Sequence, residues 1–444
     1  MRPTFQTPPV PPGRCSGVSS VPRGTLFIVT HSHAAGHGHS HGHGPVDPGP
    51  PRPALARALG LVVGIVAAVA LTGMALLWPD AESVPEGPDP FANEGVTLVE
   101  GTVTSVEPFD CGNTGIGPDN TPVVQGDCAD VVATTEDGEE ASFILDPSRF
   151  VGGGMSVGDE VELVRFQPPG QAPSYEFRDF TRGFPLLAMT IAFAVLVSLI
   201  GRWRGVFALL GIGVTLLALV KFVLPALLSG EPPLAVAVVG STVIMISVLY
   251  LAHGISIRTT SALFGTLFGI AFTAIAGVLA TGWANLTGVG SEDDRLLVAT
   301  APEINLSGVV AATMVIAGLG VLNDVTVTQA SAVWELRALQ PFARRVDLFR
   351  SAMRIGRDHI ASSVYTLVFA YAGSAMTVML LITAYQRDLL DAVTTEEIAQ
   401  EVVRTLIGAI GLVLAVPVTT AFAVWLAPPG ETVETSGGSG SHAA

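Results

Sequence analysis

Long apolar stretches recur along the chain, at residues 55–78, 184–200, 206–228, 234–252, 262–283, 308–322, 361–385 and 405–426. Runs of about 18 or more such residues are long enough to cross a bilayer as a helix, where every backbone polar group must be satisfied within the segment. This pattern predicts a polytopic α-helical membrane protein of about eight transmembrane helices. Composition agrees: 49% of the 444 residues are hydrophobic and 14% are charged.

Charge orients the helices. Fourteen of the 21 arginines lie before or at the start of the first stretch, up to Arg57, or fall in segments that the alternation of spans puts on the same side, so that side is read as cytoplasmic. The net charge of −16 is concentrated in one segment, with 21 acidic and 4 basic side chains from Asp80 to Arg182, on the opposite side. A chain this acidic lacks the basic surface that nucleic acid requires, so no such partner is expected.

The expected organisation follows. Residues 1–52 form a disordered cytoplasmic head rich in His, Pro and Gly. Residues 1–28 are candidates for a start-site extension. Residues 53–78 form a signal-anchor helix without a cleavage pattern. Residues 79–183 form an acidic extracytoplasmic domain, residues 184–427 a seven-helix membrane domain, and residues 428–444 a disordered tail. In the extracytoplasmic segment, alternating runs at 96–106, 129–134, 140–145, 160–166 and 174–180 predict five short strands, an OB-like β-barrel. Cys111 and Cys128 fall there, in the oxidising compartment, and predict a disulfide. A thiolate metal pair is the alternative, without a nearby His to complete it.

Two groups of residues carry chemistry. His31, His33, His37, His39, His41 and His43 put six imidazoles on a Gly-spaced tract, suited to a divalent Zn, Ni, Co or Cu ion. A buffer or low-complexity drift is the bland reading. The second group follows the apolar run at 308–322. On a helix Asp324, Thr328, Ser331 and Glu335 share one face, with Asn323, Thr326 and Gln329 beside it. Such a stripe is expected to meet other helices or a wet cavity, because facing hydrocarbon is costly. The alternative is a carboxylate near the inner interface that merely packs the bundle. Arg357 and Asp358 are candidates to pair with Asp324 or Glu335 as a gate, or with lipid headgroups. The segment 336–359 is basic and amphipathic. Gly265 and Gly269 form a GxxxG that admits a close helix, Pro225 is expected to kink its helix, and Pro417 is a candidate helix break. Residues 386–404, ending at Arg404, read as an outer loop.

A resemblance joins these observations. Residues 318–333, GLGVLNDVTVTQASAV, resemble the signature helix of the YibE/F-like bacterial membrane proteins. The motifs RIGRDH at 354–359, AYAGS at 370–374 and AHGIS at 252–256 fit the same family, and the His-rich head resembles that of actinobacterial members. The likeness spans residues 55–426; Asn323 departs from the apolar residue that relatives carry before the aspartate. It implies a multi-pass cell-membrane protein linked to transport, with no particular substrate.

The leading functional expectation is a gradient-driven carrier or efflux component with an intramembrane site at Asp324, linked to a metal cation by the His tract. No G-x-x-x-x-G-K-[ST] loop is present, so the energy comes from a gradient or a partner ATPase. The competing expectation is an accessory or scaffold protein whose β domain binds an export complex. An intramembrane enzyme ranks last, since no H-E-x-x-H occurs and no nucleophile–base pair stands out. Candidate partners are the lipid bilayer, an ATPase or export complex, and a second copy of the chain.

Overall fold

The computed structural model describes residues 53–80, 84–85, 95–112, 124–386 and 388–428. Its first helix, α1 (Pro53–Leu76), is followed by strands β1 (Val96–Phe109), β2 (Cys128–Thr135) and β3 (Glu140–Leu145), helix α2 (Pro147–Gly153), and strands β4 (Glu160–Phe166) and β5 (Ser174–Phe180). All pairings are antiparallel, in the order β3-β2-β1-β4-β5. The five expected strands are all present, because alternation sends one face inward. Val103, Val131, Phe143, Leu145 and Leu163 form its core. The sheet curls so that Phe143 of β3 and Phe177 of β5 stack with ring centroids 6.0 Å apart. Cys111 and Cys128 are joined as a disulfide. Asp146 caps α2 by accepting hydrogen bonds from the amides of Ser148 and Arg149.

The remaining elements are helical: α3 (Gly183–Ala218), a π-turn at Leu219–Val223, α4 (Leu224–Leu228), α5 (Pro233–His253), α6 (Ile257–Trp283), α7 (Glu292–Thr300), α8 (Leu306–Leu339), α9 (Arg345–Ser374), α10 (Met376–Ala384), α11 (Leu389–Val393) and α12 (Glu396–Leu426). Among the described residues six helical stretches are long and apolar enough to cross a membrane, or seven if α9 and α10, bent by 60°, form one span. This is a polytopic helical membrane protein. One of the six stretches, running through α3 and α4, contains a reversal. Arg202 is non-helical at φ 53°, ψ −140°, and a Cβ on Gly205 would collide with the carbonyl of Val197. Residues eight apart on a straight helix lie roughly 12 Å from each other, so the chain doubles back here.

Proline acts differently at Pro225 and Pro417. The π-turn lies just ahead of Pro225, which has no amide to donate back to Lys221. Pro417, expected to interrupt its helix, lies inside a continuous α12. Two further segments differ from expectation. The segment 386–404, expected as an outer loop, is largely helical among its described residues: α12 starts at Glu396, with acidic residues in its first turn where the helix dipole favours them. The basic stretch at 336–359 is two helix ends around a turn, closed by Arg337 donating to the carbonyls of Pro341 and Ala343.

Small residues set the packing around α8. Gly269 admits Leu322, whose Cδ2 would be 2.7 Å from an added Cβ, and Gly265 admits Thr419 so closely that any Cβ would overlap its hydroxyl. The expected GxxxG is thus where α8 and α12 press on α6.

Candidate functional site

Helix α8 is the axis of the site. It runs antiparallel to α6, where Thr326 and Thr266 share a hydroxyl contact of 2.8 Å. It runs parallel to α12, where the Gln329 amide donates to Thr420 Oγ1 at 2.7 Å. Against α9 it is antiparallel, and the same Gln329 amide donates to the Ala352 carbonyl at 3.1 Å. Gly356 leaves the space for this: an added Cβ would stand 2.9 Å from Gln329 Oε1. Gln329 is therefore buried and ties three helices together.

The opposite side of α8 is open. Ala317, Gly320, Asp324, Thr328 and Glu335 are exposed, and Ser331 is half-buried. All are small or polar, although neighbouring helices expose Leu, Ile and Phe. The predicted stripe therefore exists, but it looks away from the packed interior, and Gln329 and Thr326 look inward. Asp324 Oδ2 lies 3.8 Å from His359 Nε2 on α9; the side chains are 70% and 30% exposed respectively. Neither His359 Nε2 nor Asn323 Oδ1 has a hydrogen-bond partner among the described residues. An imidazole beside a carboxylate is a pair that can pass a proton between its members.

Arg357 and Asp358 are exposed on α9, and among the described residues neither forms an ion pair with Asp324 or Glu335. His359 takes that place, because successive residues on a helix point in different directions. The hexad of His31, His33, His37, His39, His41 and His43 lies outside the described residues.

Toward the start of α8, the same side carries a second polar group. Arg404 on α12 ion-pairs with Glu401 one turn earlier and reaches Thr313 Oγ1 at 3.4 Å. Glu401 Oε2 and Arg404 Nε have no hydrogen-bond partner among the described residues. With Asp294, Glu397 and Gln400 they line a cavity of about 340 Å³. Thr313 and Asp324 are separated along α8 by roughly 16 Å, a distance bridged by Ala317 and Gly320. Sequence reading missed His359 and placed Arg404 at the end of a loop. The i, i+3 spacing of Glu401 and Arg404 was the available signal.

A bundle of long apolar helices with polar and charged groups gathered beside α8 defines an integral membrane protein. Its lineage is specific. The chain belongs to the YibE/F-like protein family, whose model matches residues 189–429 and so covers α5 to α12 as well as most of α3. No curated protein and no solved structure matches the chain.

Proposed function

We propose that the protein is a gradient-driven membrane carrier or efflux component that moves a cation along the open face of α8. The observation that carries this reading is Asp324 facing His359 at 3.8 Å on a face built of small and polar residues. A carboxylate at such depth is costly against hydrocarbon. Water or a second copy of the chain therefore covers this face. The Glu401–Arg404 pair forms the other end of the path, and Asp324 and His359 carry the coupling proton.

Eight crossings follow if the reversal at Arg202 separates two spans and α9 with α10 makes one. Both chain ends are then cytoplasmic, and residues 79–183 lie outside the cell membrane. The strand order, with α2 between β3 and β4, supports an OB-like barrel for that segment. The His tract supports a divalent metal as the cargo class.

The test is the elemental content of cells lacking the protein, rescued with the intact form or with Asp324→Asn, across a panel of metal loads. A metal whose level shifts in the null strain should return with the intact form and not with the Asn form. Equal rescue by both forms would favour the accessory role over the carrier.

A further inference from the structure

Away from Asp324, a cleft of about 900 Å³ opens where α1 and α6 begin and α5, α8 and α12 end. That volume is near the top of the range of about 300–1,000 Å³ typical of small-ligand sites. Its walls are apolar: Gly60 and Gly64 of α1, Ile246 of α5 and Trp334 of α8. An added Cβ on Gly60 or Gly64 would meet nothing within 4 Å, whereas one on Gly73 of the same helix would lie 3.0 Å from Val239. Helix α1 therefore presses on α5 near its end, whereas near its start Leu59 is buried, Val63 packs on the core and the Gly60 and Gly64 positions border open space.

The mouth is basic. Arg258 lines it, half-buried, and makes no hydrogen bond or ion pair with any described residue. Of the other polar side chains of the wall, Tyr250 Oη is 3.0 Å from Thr260 Oγ1, Ser256 Oγ is 2.8 Å from Thr259 Oγ1, and His253 lies near Arg258. An apolar slot between helices with a partnerless guanidinium at its rim matches an acyl chain joined to a phosphate. The chain's own tail fits poorly, since residues 429–444, GETVETSGGSGSHAA from Gly430 on, offer almost no large apolar side chain.

We propose that this cleft holds an anionic phospholipid, with its acyl chain against Gly60 and Gly64 and its phosphate at Arg258. The proposal rests on the membrane reading of the helices. It is tested with the full chain in phosphatidylcholine vesicles carrying a diazirine-tagged phosphatidylglycerol or a diazirine-tagged phosphatidylcholine. Cross-linked peptides are then mapped by mass spectrometry.

Labelling of the α1 and α5–α6 peptides by the anionic lipid should exceed that by the zwitterionic one about fivefold, the preference one arginine near a membrane surface confers. Arg258→Gln should abolish the preference and keep the labelling. Gly60→Leu and Gly64→Leu, whose added Cβ meets nothing within 4 Å and whose side chain intrudes on the slot, should each reduce labelling by both lipids. Equal labelling of the intact protein by the two lipids would overturn the proposal. So would unchanged labelling in both leucine variants, or conversion of a dimer to a monomer by them, which would make a second copy the occupant. Release of the intact protein from vesicles by an alkaline wash would overturn the membrane reading itself. Retained protein with equal labelling overturns the lipid site alone.

Discussion

The β sheet and the helical bundle share an apolar interior and differ in what they expose. In the sheet, Val131, Phe143 and Leu163 are inside, and Glu107, Asp130 and Glu140 are outside. In the bundle, Ser261, Thr266, Thr326, Gln329, Thr419 and Thr420 are inside together with apolar residues such as Leu263, Ile270 and Met314, and Phe184, Ile200, Leu279 and Trp283 are outside. Water drives the first arrangement by expelling apolar surface. Hydrocarbon offers no such drive between helices, so close backbone approach and interhelical hydrogen bonds decide the second. The open face of α8 obeys neither rule, which is why it stands out as the candidate site.

The comparison breaks first at Gly265. Gly265→Val would force α6 and α12 apart at Thr419 and should cost about 3 kcal/mol or more, seen as loss of folded protein in detergent extracts. Retained stability would mean that the bundle does not depend on close approach. The sheet depends on a different fastening. Cys111→Ser should lower the stability of the β segment by about 3 kcal/mol, the entropy of a loop of this size, and leave the bundle intact. Hydrogen exchange of the full chain, read peptide by peptide, separates the two effects.

Gln329→Leu sharpens the comparison, because it keeps the volume and removes the hydrogen bonds to Thr420 and Ala352. We expect a loss of about 1–2 kcal/mol in thermal unfolding. The smallest effect is at Asp146, where capping of α2 contributes about 1 kcal/mol. The Ser148 hydroxyl donates to this carboxylate, as do the amides of Ser148 and Arg149. Together they outweigh burial and hold its pKa below the usual range. A lowered folded-state pKa stabilises the fold fully above the ordinary carboxylate value and loses that effect as pH falls through the lowered one. Asp146→Ala should therefore raise exchange around α2 at neutral pH and make little difference in strong acid.

Legibility in the sequence followed the same divide. In the sheet, alternation revealed the strands, because only one face can be apolar in water. In the bundle, hydropathy located the helices but left their rotation open. The spacing of Asp324, Thr328 and Glu335 showed a stripe; whether it looked inward depended on the small residues of α6, α9 and α12. Gly265 was readable through GxxxG, whereas Gly356 gave no local sign that Gln329 would fill its space. Glu401 and Arg404 read as loop because charge normally ends a span, yet each is neutralised by the other one turn away. The break at Ala375 and the reversal at Arg202 both fall at polar or small residues, and only the second carried the arginines that mark a turn.

The most direct measurement is lumenal pH in vesicles containing the purified full chain, under an imposed pH gradient. Zn²⁺, Ni²⁺, Co²⁺ or Cu²⁺ is added outside. With the intact protein, at least one of these ions should produce a pH change that is absent with Asp324→Asn. If no ion moves protons through the intact protein, or if the Asn form behaves identically, Asp324 is not the coupling site and the carrier account fails.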